Sequence, residues 1–155
     1  MKDFPVSRAN CTFRIIQGTK NVFKFAIMLF DSAEKDIDIA IKGNEITRWI
    51  IESVDDSLQK KTSKQVNIHV ISESDNHNIV ALQRFLEFSD LRYVSPLNTV
   101  PLLLIDGKEV LICLNGNKQG IPENAIWTNH PEFVGMLTGF FNIMWGNGKI
   151  QKTKS

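Results

Sequence analysis

Apolar residues recur along this chain with two alternating periods, two and about 3.6. Residues 12–17 (TFRIIQ) read as a strand, stopped by Gly18. Val22, Phe23, Ala26, Ile27, Phe30 and Ala33 then fall on one helical stripe, which predicts a helix over 20–34. Residues 37–41 (IDIAI) place isoleucine at every second position, the pattern of a half-buried strand. Gly43-Asn44 breaks that pattern, and Asn44 suits the N-cap of a helix carrying Ile46, Trp49, Ile50, Val54 and Leu58. Residues 66–71 (VNIHVI) give a third strand. Asp75 or Asn76 then caps a helix bearing Ile79, Leu82, Phe85 and Leu86.

After residue 90 the pattern turns to strands. Residues 91–94 are short and strand-like. Residues 100–105 (VPLLLI) and 109–114 (EVLICL) are apolar runs joined by Asp106-Gly107-Lys108, a strong hairpin signal. An Asn/Gly-rich loop covers 115–124, and 125–127 add a short strand. Pro131 stands where the first residue of a helix belongs, and Val134, Leu137, Phe141 and Met144 line that helix to about Gly146. The order β-α-β-α-β-α-β, then hairpin, strand and helix predicts an α/β domain. Its sheet is expected to be mixed, mainly parallel and flanked by helices.

Composition narrows the class. The 155 residues fit one domain. A chain of that length buries about 68–70% of its unfolded surface without staples. Eighteen basic and 17 acidic residues leave a net charge of +1, so no overall field recruits nucleic acid or anionic lipid. The basic run is confined to 148–155, read as a solvated tail, and 1–11 is read as an N-terminal extension to a domain over 12–147. No apolar stretch approaches a membrane span and the first residues lack a signal-peptide core, so a cytoplasmic location is expected. Cys11 and Cys113 are far apart, in no metal or redox spacing, and are expected to be inert. His69, His77 and His130 make no ligand cluster, so neither metal nor cofactor is expected.

The hairpin carries a resemblance. Phospholipase D-like enzymes have the motif HxKxxxxDG, with histidine as nucleophile, lysine on phosphate and aspartate supporting the site. Set on Asp106-Gly107, the histidine position falls on Thr99 and the lysine position on Pro101. Residues 127–145 (WTNHPEFVGMLTGFFNIMW) place Pro131, Glu132, Val134, Phe141 and Trp145 at spacings that resemble the family's following helix. TFRIIQG, the helix ending Ser32-Ala33-Glu34-Lys35 and DIDIAI are similar to the opening of the effector domain of TrmB-type archaeal regulators and of related archaeal sensor domains. The resemblance implies a phospholipase D-like half-unit, no catalysis, and a homodimer, since such sites are built by two facing halves. The dimer seam is then expected at the hairpin and the Trp127–Trp145 segment. TrmB-type regulators also carry an N-terminal winged helix, for which the residues before 12 are too few, so DNA binding by this chain is expected to be weak.

The expected function is a non-catalytic sensory or regulatory domain that binds a small ligand or a protein partner, with a link to transcription or signalling. Candidate ligand-binding residues are Thr99, Asp106, Asn115, Asn117 and Ser72. Loops beyond the carboxyl ends of strands are where α/β sheets bind ligands. The plain alternatives are connecting loops and, for Asp106, a turn residue bonding its own backbone. Trp49, Trp127 and Trp145 are expected to pack in the core rather than to form a ligand cage. Besides a purely structural module that mediates dimerisation, two other functions stay open. One is a phosphodiesterase with a displaced nucleophile. The other is a thioredoxin-like domain, because residues 100–110 resemble the thioredoxin segment around its cis-proline; no CxxC accompanies them.

Overall fold

The computed structural model of the protein describes residues 11–52, 54–73, 79–115 and 121–150, with the backbone alone at Asn115 and Ile150. The elements are β1 (Phe13–Gln17), α1 (Thr19–Ser32), β2 (Asp36–Ala40), α2 (Gly43–Ile51), α3 (Val54–Thr62), β3 (Asn67–Ser72), α4 (Ile79–Leu86), β4 (Asp90–Tyr93), β5 (Leu102–Ile105), β6 (Glu109–Asn115), β7 (Pro122–Thr128), α5 (Pro131–Asn147) and β8 (Lys149–Ile150). The strands form one sheet in the order β1-β7-β6-β5-β2-β3-β4-β8. Strands β1, β2, β3, β4 and β6 run one way and β5, β7 and β8 the other. The sheet is therefore mixed. Parallel pairing is confined to β2-β3-β4, where helices serve as crossovers; the hairpin-joined strands pair antiparallel.

The period-2 pattern divides the core. Ile37, Ile39, Ile68, Val70, Leu103, Ile105, Leu111 and Cys113 face α1 to α4, with Phe30, Trp49 and Phe85 filling that side. Ala40, Ile71, Leu102, Leu104 and Val110 face α5, which seats Val134, Phe141 and Met144 on them. Four helices thus cover one face and one helix the other.

Three expectations are corrected. The helix read through Ile46 to Leu58 is two helices. Glu52 closes α2, and α3 starts afresh with Asp55 and Asp56 in its first turn, a favourable place for acids. The break lets α2 pack on α4 while α3 packs on α1. Lys42, not Asn44, is the N-cap of α2, and the Glu45 carboxylate accepts from the Lys42 N–H at 2.8 Å. Lys149 and Ile150, read as tail, pair with Tyr93 and Arg92 as β8. Residues 1–10 and 151–155 lie outside the described residues, as do Asp75 and Asn76.

The hairpin turn has φ of 56° at Asp106 and 65° at Gly107, the type I′ pattern that Asp-Gly supplies. Asp106 does not bond its own backbone. Its carboxylate accepts from the N–H groups of Glu34, Lys35 and Asp36 at 2.9, 2.7 and 2.9 Å. Its own N–H donates to the Asp36 carbonyl at 2.8 Å. Partial burial pushes the carboxyl's pKa up; the three N–H bonds, helped by Lys108, outweigh it and hold the group below the ordinary 3.8. Its stabilisation is complete above the unfolded-state value and is lost as pH falls through the lower folded value. Asp106→Ala is expected to cost about 2 kcal/mol at neutral pH in urea unfolding. The gap between mutant and parent should narrow below the unfolded carboxyl value; a gap under a few tenths at pH 7 would show that the three bonds do not hold the turn.

Candidate functional site

The strand directions collect the candidate residues on one edge. Gln17, Ala40, Ser72, Tyr93 and Asn115 end strands that run the same way. β5 runs against them, so its start meets their ends: Leu102 pairs with Ala40 on one side and with Ile112 on the other. Thr99 and Pro101, just before β5, arrive at that edge beside Ser72, the backbone of Asn115 and the start of α2 at Gly43. Asp106 lies at the opposite end of β5, beyond four residues of strand or roughly 13 Å, and does not join them. Asn117 lies outside the described residues.

Ser72 is fully buried, and its Oγ has no hydrogen-bond partner. It points to the four-helix face, opposite Tyr93 in the register, while its carbonyl accepts from the Val94 N–H at 2.9 Å. The Thr99 hydroxyl donates to the Val100 carbonyl at 3.0 Å. The Pro101 carbonyl accepts from the Cys113 N–H at 2.9 Å. Glu73 accepts from the Leu97 N–H at 3.4 Å and so ties the end of β3 to the segment leading into β5. Composition and periodicity gave no sign of Glu45, a buried carboxylate near Cys113. Burial, reinforced by the charge of Glu45, pushes the Cys113 thiol up to about 12, so it stays protonated and is a poor nucleophile. The edge thus offers hydroxyls, carbonyls and one buried acid. Among the described residues, no three His, Cys, Asp or Glu side chains could hold a metal ion. Among the described residues it also lacks an imidazole: His69 sits mid-strand in β3 and His130 is the N-cap of α5, while His77 lies outside the described residues.

The family described as "Transcriptional regulator TrmB, EBD N-terminal subdomain" matches residues 12–152. The chain belongs to this TrmB family. No curated protein sequence matches it. Among solved structures, the phospholipase D family member Nuc from Salmonella typhimurium is similar with a TM-score of 0.75 and 14% identity, over 93% of this chain and 100% of that one. NucT from Helicobacter pylori gives 0.68 and 13%, over 92% and 99%. TrmBL2, an archaeal chromatin protein with a novel mode of DNA binding, gives 0.70 and 16%, over 93% of this chain. The TrmB-family chain spans 56% of TrmBL2. The fold is therefore phospholipase D-like, and the 100–110 hairpin lies at the centre of its eight-stranded sheet. That leaves the thioredoxin-like reading without support. Among the described residues, no helix is long and apolar enough to cross a membrane.

The tryptophans of this TrmB-family domain pack in separate places and form no cage. Trp49 lies against Phe30, Trp127 against Phe25, and Trp145 against Phe141 on the other face. A polar cluster surrounds Trp145. Asp38, His69 and Asp90 stand in one row across β2, β3 and β4. His69 Nδ1 lies 2.9 Å from Asp38 Oδ1, and its ring meets the Trp145 ring edge-on at 5.1 Å. The Arg92 guanidinium covers Trp145 at 4.2 Å and donates to its carbonyl at 2.7 Å, at the helix end that favours a cation. The hydrogen bond to Asp38 raises the His69 pKa above 6.5; burial opposes, and the charges of Asp38, Asp90 and Asp36 add to the rise. The pair therefore stabilises the fold fully below the unfolded value and less as pH rises through the folded one. An NMR titration is expected to place His69 above 6.5, and Asp38→Asn to lower it. An unshifted His69 would show that the pair is not formed in solution.

Proposed function

We propose that this chain is a non-catalytic regulatory domain whose carboxyl edge receives a small polar ligand. Thr99 and Pro101 carry the reading: they occupy the edge at the positions where phospholipase D-like enzymes hold a nucleophilic histidine and a phosphate-binding lysine. The Thr99 hydroxyl bonds the neighbouring Val100 carbonyl, with no imidazole among the described residues of the edge to activate it, and proline brings no charge. The Thr99 hydroxyl recognises polar groups without attacking them, on an edge where Ser72 and Asn115 end the neighbouring strands. The TrmB family supplies the context: a regulator in which ligand occupancy biases an assembly. With a net charge of +1, this domain is expected to leave tight DNA binding to other parts of such an assembly.

Two measurements test this. Bis-p-nitrophenyl phosphate should be hydrolysed no faster than background; turnover that disappears in Thr99→Ala would establish the phosphodiesterase alternative. A thermal-shift screen against sugars, amino acids, nucleotides and organic acids should give at least one hit. A ligand at 100 times its Kd stabilises the fold by about 2.7 kcal/mol, or roughly 5–10 °C for a chain of this size. Thr99→Arg should remove that shift while leaving the unliganded melting temperature within about 2 °C. A shift that survives Thr99→Arg places the ligand elsewhere and overturns the edge as the site.

A further inference from the structure

The sheet has two outer strands, built differently. β8 has two residues and follows Gly148, a short edge of the kind that resists further pairing. β1 has five residues, FRIIQ, with neither proline nor lysine to blunt it. Its Phe13 and Ile15 side chains are 55% and 73% exposed.

The hydrogen bonding of β1 shows which main-chain groups point outward. The Gly18 N–H donates to the Glu123 carbonyl at 2.9 Å, and the register continues to put these two residues opposite each other. Bonded and non-bonded pairs alternate in an antiparallel ladder. Ile16 and Arg14 are therefore bonded to β7, and Gln17, Ile15 and Phe13 turn their N–H and C=O groups outward. The Gln17 carbonyl accepts from Asn21 Nδ2 at 2.9 Å. Among the described residues, no hydrogen bond reaches the other outward groups.

We propose that two copies of this chain join edge to edge through β1, antiparallel about a two-fold axis at Ile15, so that the sheet continues from one copy into the other. The register is self-complementary, so a second copy of this chain satisfies the outward groups of both strands. The outward groups at 13, 15 and 17 are symmetric about 15. Ile15 meets the partner's Ile15, and Phe13 meets the partner's Gln17, each pair facing with the groups that must bond. Side chains agree with this register. Ile15 packs on its own copy and loses most of its exposure to water. Arg14 stands opposite the partner's Ile16, so no like charges meet directly. A groove of about 420 Å³ between β1 and α1 is lined by Arg14, Ile15, Ile16, Gln17, Asn21 and Phe25. This interface is distinct from the hairpin and Trp127–Trp145 seam that the two-half enzymes suggest, and it stands whether or not the carboxyl edge binds a ligand.

Light scattering and sedimentation of the full chain should show a mass rising with concentration toward twice 17.6 kDa. Ile15→Pro removes an N–H that the β7 ladder does not use, so the chain should fold with an unchanged circular dichroism spectrum while association weakens by about tenfold or more. In a Cys11→Ser background, Ile15→Cys should form an intermolecular disulfide on oxidation. Residues in a hydrogen-bonded antiparallel pair stand about 5.5 Å apart at Cα, within disulfide reach. Ile16→Cys, off the axis, should form far less. A chain that stays monomeric at every concentration overturns the proposal. So does a dimer that survives Ile15→Pro and gives no Ile15→Cys cross-link, which would place the contact on another face.

Discussion

The position of every candidate residue depends on one carboxylate. Asp106 closes the β5–β6 turn and holds the three N–H groups between α1 and β2. Those groups follow a helix end and precede a strand, so neither ladder satisfies them, and an ionised carboxylate bonds such donors more strongly than a neutral acceptor. By taking all three, Asp106 fixes Ile105 beside Ile37 and thereby the antiparallel register of β5 on β2. That register carries the start of β5 to the carboxyl end of β2. The aspartate therefore builds the edge from its far side without belonging to it. At this hairpin Asp106 serves the fold, through bonds to the backbone of Glu34, Lys35 and Asp36.

Most of the elements were legible in the chain because their signals are local. The isoleucine alternation of 37–41 is β2, Asp106-Gly107 is a type I′ hairpin, and Pro131 opens α5. The stripe of Val134, Leu137, Phe141 and Met144 faces the sheet. What was not legible is set by distant contacts. The break at Glu52 interrupts one continuous stripe, and its cause is the different neighbours of α2 and α3. Two residues of β8 are too few to show a period, and β4 alone defines them. Grouping Asp106 with Thr99 failed for a related reason: seven residues along an extended chain cross the whole sheet. The partners of Asp106 lie about 70 positions upstream, where no spacing rule looks.

The two faces of the sheet are held by different physics. Four helices supply a large apolar face in which buried groups such as Asp55 and Lys61 are paired or bonded at the margins: Asp55 with Arg84, Lys61 with the carbonyls of Asp31 and Ala33. The opposite face has only α5, which carries no charged residue from Phe133 to Gly148. Such a helix has little polar guidance to orient it. Its C-terminal turn is instead fixed by Trp145, with His69 at its ring edge and Arg92 over its face and on its carbonyl. The polar row in β2, β3 and β4 thus does for α5 what salt bridges around Arg84 do between α3 and α4. The pairing of Asp38 with His69 lies mid-strand, away from the strand ends that form the carboxyl edge.

Backbone geometry, not catalytic side chains, makes the edge. The strand ends, the start of α2 and the approach to β5 stay where Asp106 and the register put them. What changes is the character of the groups displayed there. A nucleophile and a fixed positive charge favour a phosphodiester and its breakdown; a threonine and a proline leave shape and neutral hydrogen bonds. On the proposed reading, neutral recognition gains less from each contact than charge-assisted bonding, so occupancy would follow the ligand's concentration rather than saturate at trace levels. On the proposed reading, such a site is reversible and reads concentration, as a regulator requires, on a scaffold that Asp106 holds in register.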